Sequence, residues 1–164
     1  MKKWFAVLLL GALLCGCGAQ PTFETVDDDD SLAVSASVKK IMLDLPKEAA
    51  TPTAESAGGS LYLCDGYTLT VQTLTGGDLD RTLTQITGYS QQELRPIRTR
   101  SGDATRYELV WSAAGESGDQ IARAVILDDG SSHYAVTVMA DAGKGGQLLE
   151  TWQELLDSVT LGTD

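Results

Sequence analysis

Two apolar runs around a polar turn decide the fold: Ile121-Ala-Arg-Ala-Val-Ile-Leu-Asp-Asp-Gly-Ser-Ser-His-Tyr-Ala-Val-Thr-Val-Met139. An Asp-Gly pair between two such runs is a strong signal for a β-hairpin, and it explains Asp128 and Asp129 as turn residues. Because side chains alternate along a strand, one face of this hairpin collects Val125, Leu127, Tyr134, Val136 and Val138. His133 falls on the other face beside the turn, where we expect it to be exposed.

A second hairpin is predicted where Asp65-Gly66 separates Leu61–Cys64 from Tyr67–Val71, with Cys64 opposite Tyr67. In that register Tyr62, Leu69 and Val71 share the side of Cys64, which makes Cys64 a small buried apolar residue rather than a reactive thiol. Further strands are predicted over Val38–Leu45, over Arg95–Arg100 as an edge segment with Pro96, and over Thr105–Ala113 with Trp111 facing the core. Residues 48–59 are rich in Ala, Thr, Ser and Gly and are predicted to form a loop.

Two helices complete the pattern. Asp78 is a candidate N-cap for a short helix through Thr87, with Gly88 as its stop. The last helix spans about residues 145–158, after a Gly-rich connection, and its apolar residues at helical spacing are Leu148, Leu149, Trp152, Leu155, Leu156 and Val159. The predicted fold class is therefore α+β: one domain over residues 38–161 in which an antiparallel sheet is covered by a short helix and a C-terminal helix.

The N-terminus has the pattern of an export signal. Lys2 and Lys3 precede an unbroken apolar stretch, Trp4–Leu14, which is too short to span a bilayer. The stretch ends in Leu14-Cys15-Gly16-Cys17, which resembles the lipobox of bacterial lipoproteins. The resemblance implies that residues 1–16 are a signal peptide and that the thiol of Cys17 carries a diacylglyceryl lipid with palmitate-type acyl chains. Cys15 is the alternative lipidation site, and Leu14 before it is less suitable than the small Gly16 before Cys17.

Residues 17–37 are predicted to comprise the lipidated Cys17 and an acidic flexible tether, because residues 18–37 are rich in small residues and contain the run Asp27–Asp30. Without Lys2 and Lys3 the 12 basic residues become 10, against 23 acidic ones, so the mature net charge is about −13. Nucleic acid is therefore not expected as a partner. The same charge disfavours contact with an anionic leaflet, so membrane attachment is expected to depend on the lipid.

The residues that catalysis needs are scarce. With one His and three Cys, two of which lie in or next to the signal, the sequence predicts no disulfide, no metal site and no cofactor. A triad would have to use His133, and neither Ser131 nor Ser132 lies in the Gly-x-Ser-x-Gly pattern that exposes a nucleophile. We therefore expect the protein not to be an enzyme.

One basic concentration stands out in this acidic chain: Arg95, Arg98, Arg100 and Arg106. The group is a candidate patch for an anion or for an acidic partner protein. The competing explanation, which we favour from sequence alone, is a charged solvent face that protects an edge strand.

The order of elements, with the Tyr107-Glu-Leu-Val-Trp111 strand, the Asp129-Gly130 hairpin and the Trp152 helix, resembles the PsbP-like superfamily, which includes Mog-type proteins and many bacterial lipoproteins. The likeness covers about Val38–Leu161 and is topological. It implies a binding or assembly domain without catalysis. The leading hypothesis is thus a lipid-anchored protein on the extracytoplasmic face of the cell membrane that binds another protein. The alternative is a carrier of a small molecule or anion, with a pocket between the sheet and the Trp152 helix.

We expect the Cys17→Ser variant to be released from membranes, because the lipid then has no thiol to be attached to. Separation of cells into membrane and soluble fractions with immunodetection measures this, and Cys15→Ser is the matched control. Release by Cys15→Ser alone would assign the lipid to Cys15. Retention of both variants in the membrane fraction would contradict the anchor.

Overall fold

A computed structural model describes residues 38–115 and 118–162. Three α-helices accompany nine strands in this part of the chain. The helices are α1 Leu79–Thr87, α2 Gln91–Leu94 and α3 Gly145–Asp157. The strands are β1 Lys40–Met42, β2 Ala54–Ser56, β3 Gly59–Cys64, β4 Tyr67–Thr75, β5 Ile97–Ser101, β6 Ala104–Gly115, β7 Gly118–Asp128, β8 Ser132–Asp141 and β9 Thr160–Gly162. The predicted α+β class is confirmed.

Seven strands form one antiparallel sheet in the order β2-β3-β4-β8-β7-β6-β5. The predicted central hairpin is present, with Leu127 opposite Tyr134 and Val125 opposite Val136. The predicted first hairpin is also present, with Cys64 opposite Tyr67. The two hairpins join because β4 pairs with β8, which places the most apolar strands in the middle of the sheet.

The middle of the sheet is buried on both faces. On the face that we call the α3 face, side chains of β4, β7 and β8 pack against Trp152, Leu155 and Leu156 of α3. On the opposite α1 face, Leu83 of α1 packs against Trp111 and Ile126. Sequence analysis expected a core only on the Trp111 side of β6, and the structure adds a second buried layer on the other side, which includes Ala104 and Arg106.

The helix boundaries follow the capping signals. The Asp78 carboxylate accepts hydrogen bonds from the backbone N–H groups of Asp80 and Arg81, and Gly88 ends α1 with a φ of 81°. Both agree with the prediction. Helix α3 is also confirmed, but Leu149 was assigned wrongly to its buried side: its side chain is 52% exposed. It lies on the outer margin of the apolar stripe, where the sheet does not reach.

Other boundaries differ from the sequence prediction. The first strand is only three residues long, because its sole partner is the equally short β9, which follows α3 and was not predicted. Residues 48–59 are not simply a loop, since β2 extends the edge of the large sheet by pairing with β3. Helix α2 was also missed, although Ser90 and Glu93 form a capping box that marks its start. The Gly-rich connection before α3 forms a short 3₁₀ helix, residues 142–144.

Within the described ranges, no helix is long and apolar enough to cross a membrane.

We expect Trp152→Ala to lower the free energy of unfolding by about 3–5 kcal/mol, because this 1% exposed side chain fills the layer between α3 and the sheet. The matched control is Leu149→Ala on the same helix, which should change it by no more than about 0.5 kcal/mol. Urea unfolding followed by fluorescence or circular dichroism measures both. Similar losses in the two variants would contradict the placement of α3.

Candidate functional site

The proposed lipidation site, Cys17, lies outside the described residues. The four arginines of the candidate patch are within them, and the structure does not bring all four together. Arg98 pairs with Tyr107 and Arg100 with Thr105, so both side chains lie on the α1 side of edge strand β5. Arg106 pairs with Thr99 and therefore points to the opposite face.

Arg106 is 8% exposed and serves the fold instead of the patch. Its guanidinium donates hydrogen bonds to the carbonyl oxygens of Leu156, at 2.9 Å, and Val159, at 3.4 Å. It also forms an ion pair with Glu108 at 2.8 Å. The last carbonyls of a helix lack partners within it and carry partial negative charge, so Arg106 caps the end of α3. Its inclusion in an exposed patch was wrong.

The edge strand β5 is exposed from Ile97 to Arg100. We call Ile97, Arg98, Arg100 and Val110 the edge surface. Ile97 and Val110 lie on the α3 side of the sheet, beyond the reach of the helix, and are 66% and 52% exposed. Among the described carboxylates, none forms an ion pair with Arg98 or Arg100. The edge surface thus combines uncovered aliphatic groups with cations that have no acidic partner in this part of the chain.

A groove of about 250 Å³ lies on the α3 face beside the edge surface. Its lining includes Arg95, Ile97, Glu108, Val110, Arg123 and Leu156. The alternative hypothesis expected a pocket under the Trp152 helix, but Trp152 is fully packed and the groove runs past the end of α3 at Leu156. The Nη1 atom of Arg123 is buried and has no hydrogen-bond partner among the described residues.

His133 was expected to be exposed and is completely buried. Its Nδ1 atom lies 2.6 Å from the Thr82 hydroxyl, and its Nε2 atom lies 3.7 Å from the Asp128 carboxylate. Helix α1 covers this end of the hairpin, which explains the burial. The order Thr, His, Asp is that of a catalytic triad, yet Thr82 lies within α1, where its backbone N–H bonds the Asp78 carbonyl. Helical N–H groups are engaged and do not form an oxyanion hole, so we interpret the pair as a link between α1 and β8.

Two other titratable groups, Cys64 and Asp129, also serve the fold. Burial raises the pKa of the Cys64 thiol, and the nearby Tyr67 hydroxyl offsets only part of that effect. Cys64 therefore stays a protonated thiol rather than a nucleophile. For Asp129, burial favours a higher pKa, but hydrogen bonds from Ser132, Ser131 and Tyr134 outweigh it and lower the pKa. The Asp129 carboxylate thus organises the turn, as turn chemistry predicted.

Within the described ranges, no group of three or more His, Cys, Asp or Glu side chains is arranged to hold a metal ion.

The chain matches no protein-family model and none of the curated proteins. Solved structures of similar fold include a protein from Bacteroides thetaiotaomicron, with 10% identity and a TM-score of 0.51, covering 76% of this chain and 46% of that one. This chain therefore spans less than half the length of that protein. A second is LpqN, involved in cell envelope biogenesis of Mycobacterium tuberculosis, with 14% identity and a TM-score of 0.48, covering 76% of this chain and 84% of LpqN. The similarity to the Bacteroides protein shows a shared fold and indicates no function. The TM-score with LpqN is too low to support a conclusion.

Sequence analysis missed Arg123, although a signal for it was present. Alternation along β7 places Arg123 on the same face as Val125 and Leu127, which the pattern already assigned to the core. A charged residue on a core face indicates either a buried partner or an opening in the core. The structure has an opening at this position.

We expect Thr82→Val to lower the free energy of unfolding by about 1–3 kcal/mol, because it leaves the buried His133 Nδ1 without a partner at nearly constant side-chain volume. Thr82→Ser keeps the hydroxyl and, with one methyl group lost, should cost about 1 kcal/mol or less. Urea unfolding compares the two. A larger loss for the Ser variant than for the Val variant would show that packing, and not the hydrogen bond, matters at this position.

Proposed function

We propose that this chain is a lipid-anchored, non-enzymatic protein of the bacterial cell envelope whose PsbP-like domain binds another protein or helps an envelope complex to assemble. The anchor is the lipid on Cys17, and the domain lies on the extracytoplasmic face of the membrane. The edge surface on β5 and β6 is the observation that carries the protein-binding role.

The edge surface has the composition of a binding surface. Ile97 and Val110 expose aliphatic groups on the α3 side of the sheet edge, and Arg98 and Arg100 offer several hydrogen-bond donors on the α1 side of the same edge. Apolar side chains next to arginine are typical of the energetically important part of protein interfaces. The strand itself also has an unpaired backbone edge, because β5 is last in the strand order.

Charge favours an acidic partner surface. The whole chain has a formal net charge of −11, so most of its surface repels an acidic protein. Arg95, Arg98 and Arg100 are concentrated at one sheet edge and offer the complementary charge. Such a local patch orients an acidic partner toward β5 and disfavours other orientations.

The tether predicted over residues 18–37 lies outside the described residues and would connect the domain to the anchor. A flexible coil of twenty residues would reach on the order of 25 Å from the membrane surface. The lipid restricts the domain to that layer, which raises its effective concentration for any partner in the same layer.

We expect the double variant Ile97→Glu with Val110→Glu to reduce recovery of the cross-linked partner at least about tenfold, because it buries carboxylates in the interface. The measurement is in-cell cross-linking with quantitative mass spectrometry on the membrane-bound chain. Leu63→Glu is the matched control, since Leu63 is 57% exposed on β3 near the other end of the sheet. The Cys17→Ser form tests whether recovery needs the anchor. Equal recovery from the double variant and the Leu63 control, or no partner from the wild type, would contradict the proposal.

A further inference from the structure

The geometry points to a binding site for a small organic carboxylate with a short apolar chain in the groove beside α3. The site goes beyond the protein-binding role: it shares Ile97 and Val110 with the edge surface, but it is centred on Arg123 and Leu156 and does not include Arg98 or Arg100. Binding in the groove requires no protein partner.

The Arg123 guanidinium is the anchor of the site. Arg123 lies on β7 directly opposite Val110 of β6, in the floor of the groove. Its Nη1 atom is shielded from solvent, and the described residues offer it no acceptor. An arginine stays charged at all physiological pH values, so it cannot lower the desolvation energy of its partly buried guanidinium by losing a proton. An anionic ligand in the groove would bind the part of the guanidinium that faces the groove, and it would neutralise a charge that has no described counter-ion.

The local charge balance also favours an anion. Glu108 is the carboxylate in the groove lining, and the buried Arg106 already engages it at 2.8 Å. Arg123 and Arg95 then remain as charges without a described counter-ion. A monoanionic carboxylate matches the planar guanidinium with two parallel hydrogen bonds. A dianionic phosphate would lie against Glu108 with twice the repulsion, so the carboxylate is the better fit.

The rest of the lining is apolar. Ile97, Val110 and Leu156 offer aliphatic contacts around the charged floor. The volume of about 250 Å³ lies below the range of roughly 300–1,000 Å³ for drug-sized ligands, which indicates a small ligand. A carboxylate on Arg123 with a short alkyl chain over Val110 uses both parts of the groove.

The test is isothermal titration of hexanoate into the purified full chain in detergent, with hexanamide as the neutral analogue and hexyl phosphate as the dianionic one. We expect hexanoate to bind about tenfold or more tightly than either analogue. Hexanamide has no charge to pair with the arginine, and the dianionic phosphate is repelled more strongly by Glu108. Arg123→Gln should weaken hexanoate binding by about the same factor. Arg81→Gln, at an exposed arginine of α1 outside the groove lining, is the matched control and should leave the affinity within about twofold.

A second variant keeps the proposal testable if Arg123→Gln does not fold. Val110→Glu places a carboxylate opposite Arg123, where it would occupy the guanidinium and compete with the ligand. Both variants are checked by urea unfolding, and both should lose hexanoate binding while remaining folded. Absence of hexanoate binding to the wild type, equal binding of hexanamide, or full affinity in either folded variant would overturn the proposal. Because the purified chain is titrated alone, none of these results depends on the cross-linked partner.

Discussion

Burial of strands β7 and β8 on both faces is the constraint on which the rest of the structure depends. From Ala124 to Leu127 and from His133 to Thr137 every residue is buried. A strand pair with two apolar faces needs a covering layer on each side. Helix α3 provides one layer and α1 the other. The small side chains of Ala122, Ala124 and Ala135 on the α1 face allow Leu83 of α1 to pack against them in the same core.

The same constraint explains why part of the sheet remains uncovered. Seven strands at about 4.8 Å spacing make a sheet of about 29 Å, whereas a helix of 13 residues is about 20 Å long and roughly 10 Å wide. Helix α3 therefore cannot cover its whole face, and the β5–β6 side stays open. Arg106 holds the end of α3 on the sheet through the carbonyl oxygens of Leu156 and Val159. It therefore determines which part of the sheet α3 covers, and it positions Leu156 at the border of the groove.

Polar residues inside the molecule join elements that are distant in sequence. Thr82 and His133 are 51 positions apart, and their hydrogen bond ties α1 to the central hairpin. Arg106 lies 50 positions before Leu156 and ties β6 to α3. A buried polar group without its hydrogen-bond partner destabilises the folded state. These hydrogen bonds therefore favour the one arrangement of the helices in which they can form. Not every buried polar atom has a partner: the described part of the chain offers no hydrogen-bond partner to Arg123 Nη1 or to His133 Nε2.

The sequence by itself determined the local elements: both Asp-Gly hairpins with their register, the capped helix after Asp78, the terminal helix and hence the α+β class. These follow from turn chemistry and from periodicity, which act over a few residues. Only the tertiary structure decided which strands meet, that β1 pairs with β9, and that His133 and Arg106 are buried while Leu149 is exposed. The reason is physical: alternation tells which residues share a face, but the extent to which that face is covered depends on where distant helices end.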